Sequence, residues 1–184
     1  DNQKPIVLLG YLGVDQGATL TIKAGVQLFA SAQTKIYIAG TLDIQGTAAQ
    51  RVSFRGDKPV WDPQFLPNQW GGIHILVGSI NNSIEYADIT NATIGVRVDS
   101  LPVNGITGLK ISNTRIQYSG QASLAGITAD IQATNCLFAD AGSYSFLGLL
   151  GGVDLVADWP EDVLKIRPLD PYTALVAVTH DPKI

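Results

Sequence analysis

Apolar and polar residues alternate along this chain in short runs, and the runs return about every 22 residues. Thr19-Leu20-Thr21-Ile22 comes back as Thr41-Leu42-Asp43-Ile44, 22 residues later. Asn113-Thr114-Arg115-Ile116-Gln117-Tyr118-Ser119-Gly120 comes back as Asn135-Cys136-Leu137-Phe138-Ala139-Asp140-Ala141-Gly142, again after 22 residues. Alternation with a period of two marks a strand that buries one face. A unit this short cannot bury that face by itself, so successive copies have to stack into one core. The pattern therefore predicts a solenoid.

Three short strands fit into each repeat, which is the arrangement of a parallel β-helix. The first turn reads Thr19–Ile22, Val26–Phe29 and Ile36–Ile38, and the second Thr41–Ile44, Arg51–Phe54 and Gly72–Leu76. Ser83–Tyr86, Asp88–Thr90 and Gly95–Val98 make a third. Leu109–Ile111, Arg115–Gln117 and Gly126–Thr128 make a fourth. Asp130–Gln132, Leu137–Phe138 and Tyr144–Leu147 make a fifth, and Val153–Val156 begins a sixth. Pro5–Val14 is strand-like and is expected to cap the open end. The solenoid is expected over residues 1–157. Residues 158–184, broken by Pro160, Pro168, Pro171 and Pro182, read as a far cap or the start of a further segment.

Alternation also sorts the side chains by face. Leu20, Ile22, Leu42, Ile44, Ile73, Ile75, Ile84, Tyr86, Val96, Val98, Leu109, Ile111, Ile127 and Ile131 are expected to point inward. One outward column should run Thr21, Asp43, Glu85, Lys110, Gln132, with Glu85 and Lys110 as an exposed ion pair. Another should run Tyr37, His74, Arg97, Thr128.

Composition narrows the function classes. The 184 residues are 46% apolar and 15% charged, which argues against disorder. A net charge of −4 without any basic run argues against nucleic-acid binding. No stretch is long and apolar enough for a membrane span. Cys136 is the single cysteine, so no internal disulfide forms, and its place on a strand suits a packed residue rather than a reactive thiol. The opening Asp1-Asn2-Gln3-Lys4-Pro5 reads as a trimmed or mature start.

The stretch Gly17–Asp57 carries Gly17-Ala18-Thr19-Leu20-Thr21-Ile22, then Gly40-Thr41-Leu42 and Gly46-Thr47. A loop from Gly56 to Gln69 leads to Trp70-Gly71-Gly72-Ile73, and Ile84-Glu85-Tyr86 follows. This series resembles right-handed parallel β-helix proteins found on the surface of Bacteroidetes-type bacteria, over roughly residues 15 to 152. The resemblance implies a right-handed, single-stranded parallel β-helix. It also implies export to a bacterial cell surface or outer membrane, with a lipid anchor on a removed N-terminus as one form of display.

Catalytic sets are sparse. Parallel β-helix glycosidases use clustered carboxylates on neighbouring turns, whereas Asp43, Asp88, Asp99, Asp130, Asp140 and Asp154 stand apart here. The adjacent pair Glu161-Asp162 reads as a solvated turn. The best cation pair is Asp43 with Glu85, and no metal or cofactor is expected. Parallel β-helix lyases use an Arg or Lys as base beside carboxylate-held Ca²⁺, whereas a nucleophilic triad needs a histidine, and only His74 and His180 exist. His74, between Ile73 and Ile75, faces outward, either as a plain surface histidine or as part of a site with Arg97. The loop at Gly56–Gln69 is long enough to carry function. Its Trp61, Asp62, Asn68 and Gln69 suit sugar stacking and hydrogen bonding, against the blander reading that Trp61 and Phe65 pin it to the solenoid. A threonine ladder for ice is excluded by Asp43 and Lys110 in the Thr21 column. The expectation is a non-catalytic scaffold or binding module for a glycan or another surface protein. The alternative, by analogy of fold alone, is a polysaccharide lyase or glycoside hydrolase.

Overall fold

The computed structural model describes residues 4–58, 65–99 and 108–149. Within them the chain forms seventeen strands, and all of them pair in parallel. Three strands make a turn, and each turn adds one strand to each of three sheets. Sheet C holds β3 (Thr19–Lys23), β6 (Thr41–Gln45), β9 (Asn82–Glu85), β12 (Leu109–Ser112) and β15 (Ile131–Thr134). Sheet A holds β1 (Ile6–Leu8), β4 (Gln27–Ala30), β7 (Val52–Gly56), β10 (Ala87–Thr90), β13 (Arg115–Gln117) and β16 (Leu137–Ala139). Sheet B holds β2 (Tyr11–Val14), β5 (Lys35–Ile38), β8 (Ile73–Ile75), β11 (Ile94–Val98), β14 (Ala122–Ile127) and β17 (Tyr144–Leu149). The fold is an all-β parallel solenoid of about five turns with about 24 residues per turn.

The step is 22 residues where nothing intervenes, as from Thr21 to Asp43 and from Leu109 to Ile131. It widens to 40 from Asp43 to Ser83, because the loop after β7 is spliced into that turn. Inside, like stacks on like. Ile36, Ile73, Val96 and Leu124 form one column, and Leu28, Phe54, Ile89 and Ile116 form another. All eight are buried, and each stabilises the fold by about 1.5–3 kcal/mol relative to exposure.

The corners need backbone that turns without leaving the stack. Tyr86, Asn113 and Asn135 take positive φ between sheets C and A, and Asn91, Tyr118 and Asp140 do so between A and B. Asn and Asp tolerate this left-handed region better than most residues. The Asn135 Nδ2 donates to Asn113 Oδ1 at 2.6 Å, linking corners of successive turns. At the same corner one turn earlier, the Arg51 guanidinium lies 5.7 Å from the Tyr86 ring centroid. Its Nη2 donates to the carbonyls of Ala87 and Asn113, both at 2.7 Å.

Several sequence expectations are corrected by the register. Ser83, not Glu85, lies between Asp43 and Lys110 in the sheet C column. Glu85 pairs instead with Gln45 and Ser112, so neither the Glu85–Lys110 ion pair nor the Asp43–Glu85 cation pair forms. Asp43 is occupied by Ser83 Oγ at 2.7 Å and by Gln45. The physical reason is Asn82, a polar residue in an inward position opposite Leu42. It is satisfied by Leu42 N, Ser79 Oγ and Gly108 O. Tyr86 consequently sits at the corner rather than inside. Ala125, not Thr128, follows Arg97, and Leu124, not Ile127, follows Val96. Pro5–Val14 contains two strands, β1 and β2, which form the first strands of sheets A and B. The sixth turn, the domain boundary at 157 and residues 158–184 lie outside the described residues.

Candidate functional site

The outer face of sheet B carries the densest chemistry among the described residues. Register places Tyr37 of β5, His74 of β8 and Arg97 of β11 in one outward column. Tyr11 of β2 pairs with Lys35 of β5 in the neighbouring column. The rings of Tyr11 and Tyr37 lie 5.8 Å apart at 58°, and those of Tyr37 and His74 lie 5.8 Å apart at 46°. The Lys35 Nζ stands 5.2 Å from the Tyr37 centroid, within cation–π range.

Gly72 sets the phase of this face. Its φ of +94° and the 1.7 Å that would separate an added Cβ from the Ile94 carbonyl oxygen leave room for glycine alone. The turn at Gly71-Gly72 thus lets β8 enter between β5 and β11 with His74 outward.

Asp99, just past β11, organises the cluster. Arg97 Nε donates to Asp99 Oδ1 at 2.9 Å and Nη2 donates to Oδ2 at 2.9 Å, a two-pronged grip. His74 Nε2 lies 2.8 Å from Asp99 Oδ2. Burial alone would raise the Asp99 pKa, but the bonds from Arg97 and His74 hold it below the ordinary carboxylate value. Asp99 is therefore ionised, and His74 Nε2–H is the donor. Burial lowers the His74 pKa; Asp99 opposes this, while Arg97 and Lys35 reinforce it. At neutral pH the His74–Asp99 contact is thus a hydrogen bond donated by a neutral ring to the carboxylate rather than an ion pair. Burial, then Arg97, likewise lowers the Lys35 pKa.

The expectation of a plain surface histidine is corrected here: the His74 side chain is only 12% exposed. Its Nδ1 is buried without a hydrogen-bond partner. With Nε2 engaged and Nδ1 sealed, the ring presents neither nitrogen to an incoming molecule. It positions its neighbours instead. Tyr11 is 77% exposed, and Lys35, Tyr37 and Arg97 are partly exposed beside it.

The sequence-predicted residues divide. His74 and Arg97 come together as neighbours. Asn68 and Gln69 engage a different corner. Asn68 takes φ +59° and its N donates to Ala92 O at 3.4 Å. Gln69 is buried; its N donates to Asn91 O at 2.8 Å and its Nε2 to Leu66 O at 2.9 Å. Trp70 is buried against Phe54, and its Nε1 donates to Thr90 O at 2.8 Å. Phe65 meets Tyr118 edge-on at 5.1 Å. This end of the loop is bound to the solenoid by packing and main-chain bonds. Trp61 and Asp62 lie outside the described residues.

Asp99, Lys35 and Tyr11 were not among the expected site residues. The signal was alternation itself, since Asp99 stands two residues after Arg97 and Lys35 two before Tyr37. Among the described residues, no cluster of three or more His, Cys, Asp or Glu side chains could hold a metal ion.

The model of the pectate-lyase-like beta helix domain matches residues 1–129. The chain belongs to that family. No curated protein and no solved structure matches it. In this pectate-lyase-like domain the Tyr11–Tyr37–His74 ladder and the Arg97–Asp99 grip all lie on the matched residues. Among its described residues no helix is long and apolar enough to cross a membrane.

Proposed function

We propose that this domain is an exported binding module displayed at a bacterial surface, and that it holds a glycan on the outer face of sheet B. The observation that carries this reading is the ladder of Tyr11, Tyr37 and His74 flanked by Lys35 and Arg97. Aromatic rings offer apolar area to the C–H faces of a sugar, and the cations offer hydrogen-bond donors to its oxygens. The closed state of His74 favours binding over catalysis, because a general base must reach the proton that it removes.

A glycan array probed with the full chain tests the reading, followed by titration of each hit against Tyr37→Ala and Lys35→Ala. Each variant should weaken binding by about tenfold, the loss of roughly 1.4 kcal/mol. Binding that is absent on every glycan, or unchanged in both variants, overturns it. Trp61→Ala separates the loop from this face: an unchanged affinity removes the loop as a ligand contact.

A lyase is the second reading, favoured by the family's pectate-lyase-like description and by the cations of this face. Incubation with pooled polysaccharides, read by the ultraviolet absorbance of unsaturated products, tests it. Turnover that disappears in His74→Ala or Arg97→Ala would replace the binding reading with an enzyme.

A further inference from the structure

We infer that His74, Asp99 and Arg97 form a proton-operated latch on the outer face of sheet B, shut while His74 is neutral and opened when the ring becomes imidazolium. The geometry of the two ring nitrogens carries this. Nε2–H is spent on Asp99 at 2.8 Å. Nδ1, the only position where a further proton can go, is buried and has no partner. A proton placed there creates a buried N–H without an acceptor, which costs free energy that a solvated ring would not lose.

The charges around the ring point the same way. From β5 it faces Lys35 and Tyr37, and from β11 and its end it faces Arg97 and Asp99. Tyr11 of β2 stands behind Tyr37. From β14 the residue paired with Arg97 is Ala125, which carries no charge. With His74 neutral, one carboxylate serves two cations. With His74 protonated it serves three, while already accepting three contacts from Arg97 Nε and Nη2. Burial and the nearby cations lower the ring's proton affinity in the shut form, as such a latch requires.

Release has a defined local consequence. The imidazolium leaves for solvent, the Arg97–Asp99 pair stays, and the tilted ring contact between Tyr37 and His74 is lost. The effect on ligands rests on the glycan-binding reading above: an open latch separates Tyr37 from Arg97 and breaks the continuous face.

The test is a pH titration of the full chain by NMR with ring-labelled histidine, from about pH 7.5 to about pH 4.5, spanning the ordinary histidine range. Only His74 and His180 give signals, and His180→Asn assigns them. The expected result is a His74 midpoint below 6.5, with loss of the His74–Tyr37 ring contacts at that midpoint and unchanged amide shifts in sheets A and C. The inference is overturned by a midpoint at or above 6.5, by ring contacts that survive titration, or by global unfolding at the same midpoint. None of these measurements involves a ligand. A failed latch therefore leaves glycan binding standing, and a failed array leaves the latch standing.

Discussion

Asp99 accepts His74 Nε2–H at 2.8 Å while Arg97 holds its two oxygens, so one carboxylate fastens adjacent turns of sheet B on their outer side. The core cannot do this, because core columns resist separation of the turns but say little about the order of the outward side chains. Replacing the carboxylate by an amide keeps the shape and removes the charge. Asp99→Asn should cost about 1.5–3 kcal/mol, the range for hydrogen bonds to a charged group. The urea midpoint should fall with an unchanged slope. A midpoint equal to that of the parent would mean that the grip is decorative.

Stability should fall on acidification in two stages. The His74 pKa is lower in the fold than its ordinary value near 6.5, so the unfolded chain binds more protons just below that value. Stability is full above about 6.5 and declines as pH drops from there toward the folded pKa of His74. Asp99 has a depressed pKa, so its contribution is present above about 3.8 and is lost as pH falls through its lower folded value. Urea denaturation across pH should show both declines, and His74→Gln should abolish the first alone. Stability that rises between pH 7 and pH 5 in the parent but not in the variant would reverse the sign argued here.

The glycine turn before β8 gives an internal comparison. Gly72 and Gly78 both take positive φ, +94° and +86°, but an alanine Cβ at Gly72 meets backbone at 1.7 Å while at Gly78 it meets open space. Gly78→Ala should cost only the left-handed penalty, about 1–2 kcal/mol. Gly72→Ala has to move β8 or β11 as well, and should exceed that by a clear margin or leave no folded protein. Thermal melts of the two variants decide this, and equal losses would show that β8 tolerates displacement.

The solenoid was legible because its strands alternate strictly wherever the core is aliphatic. The pairs Leu20/Ile22 and Leu42/Ile44 announce the 22-residue step without any structural information. The phase was lost where chemistry departs from that rule. Asn82 fills an inward position with an amide, so aliphatic alternation alone aligns Ile84 with Leu42 rather than with Ile44 and puts Glu85 one column out of place. In β14, Ala122, Ser123, Leu124 and Ala125 are all buried, which erases alternation. Gly126-Ile127 then imitated Gly72-Ile73. His74 and Arg97 were placed together because three well-patterned strands flank them. The depth of His74 was not legible, since it comes from Tyr37, Asp99 and Arg97 closing over the ring. Those contacts depend on side-chain reach rather than on register.

The corner asparagines should be replaceable only by residues that accept positive φ. Asn113 and Asn135 both take φ +51°, and their amides bond to each other. Asn135→Ala should lose about 1–2 kcal/mol from the left-handed backbone. Asn135→Gly should lose less, because the backbone is then unstrained and only an exposed side-chain bond is missing. Urea midpoints ordered parent, glycine, alanine would support this, whereas alanine above glycine would place the stabilisation in the amide bond instead.

Arg51 and Arg115 share Asp88 and should nevertheless differ in worth. Arg115 donates Nε and Nη2 to Asp88 at 2.6 and 2.7 Å, but its side chain is 52% exposed. Solvent screens such a pair, so Arg115→Ala should cost no more than about 1 kcal/mol. Arg51 binds Asp88 through Nε at 2.9 Å, covers the Tyr86 ring, and donates Nη2 to the carbonyls of Ala87 and Asn113. Its removal strips a donor from two main-chain carbonyls at a corner where the chain changes sheet, so Arg51→Ala should cost about 1–3 kcal/mol. Arg51→Lys should restore little of that loss, because an ammonium has no planar fork to reach carboxylate, ring and carbonyls together. Urea denaturation of the three variants checks the ranking. A lysine that matches arginine would show that charge alone holds this corner.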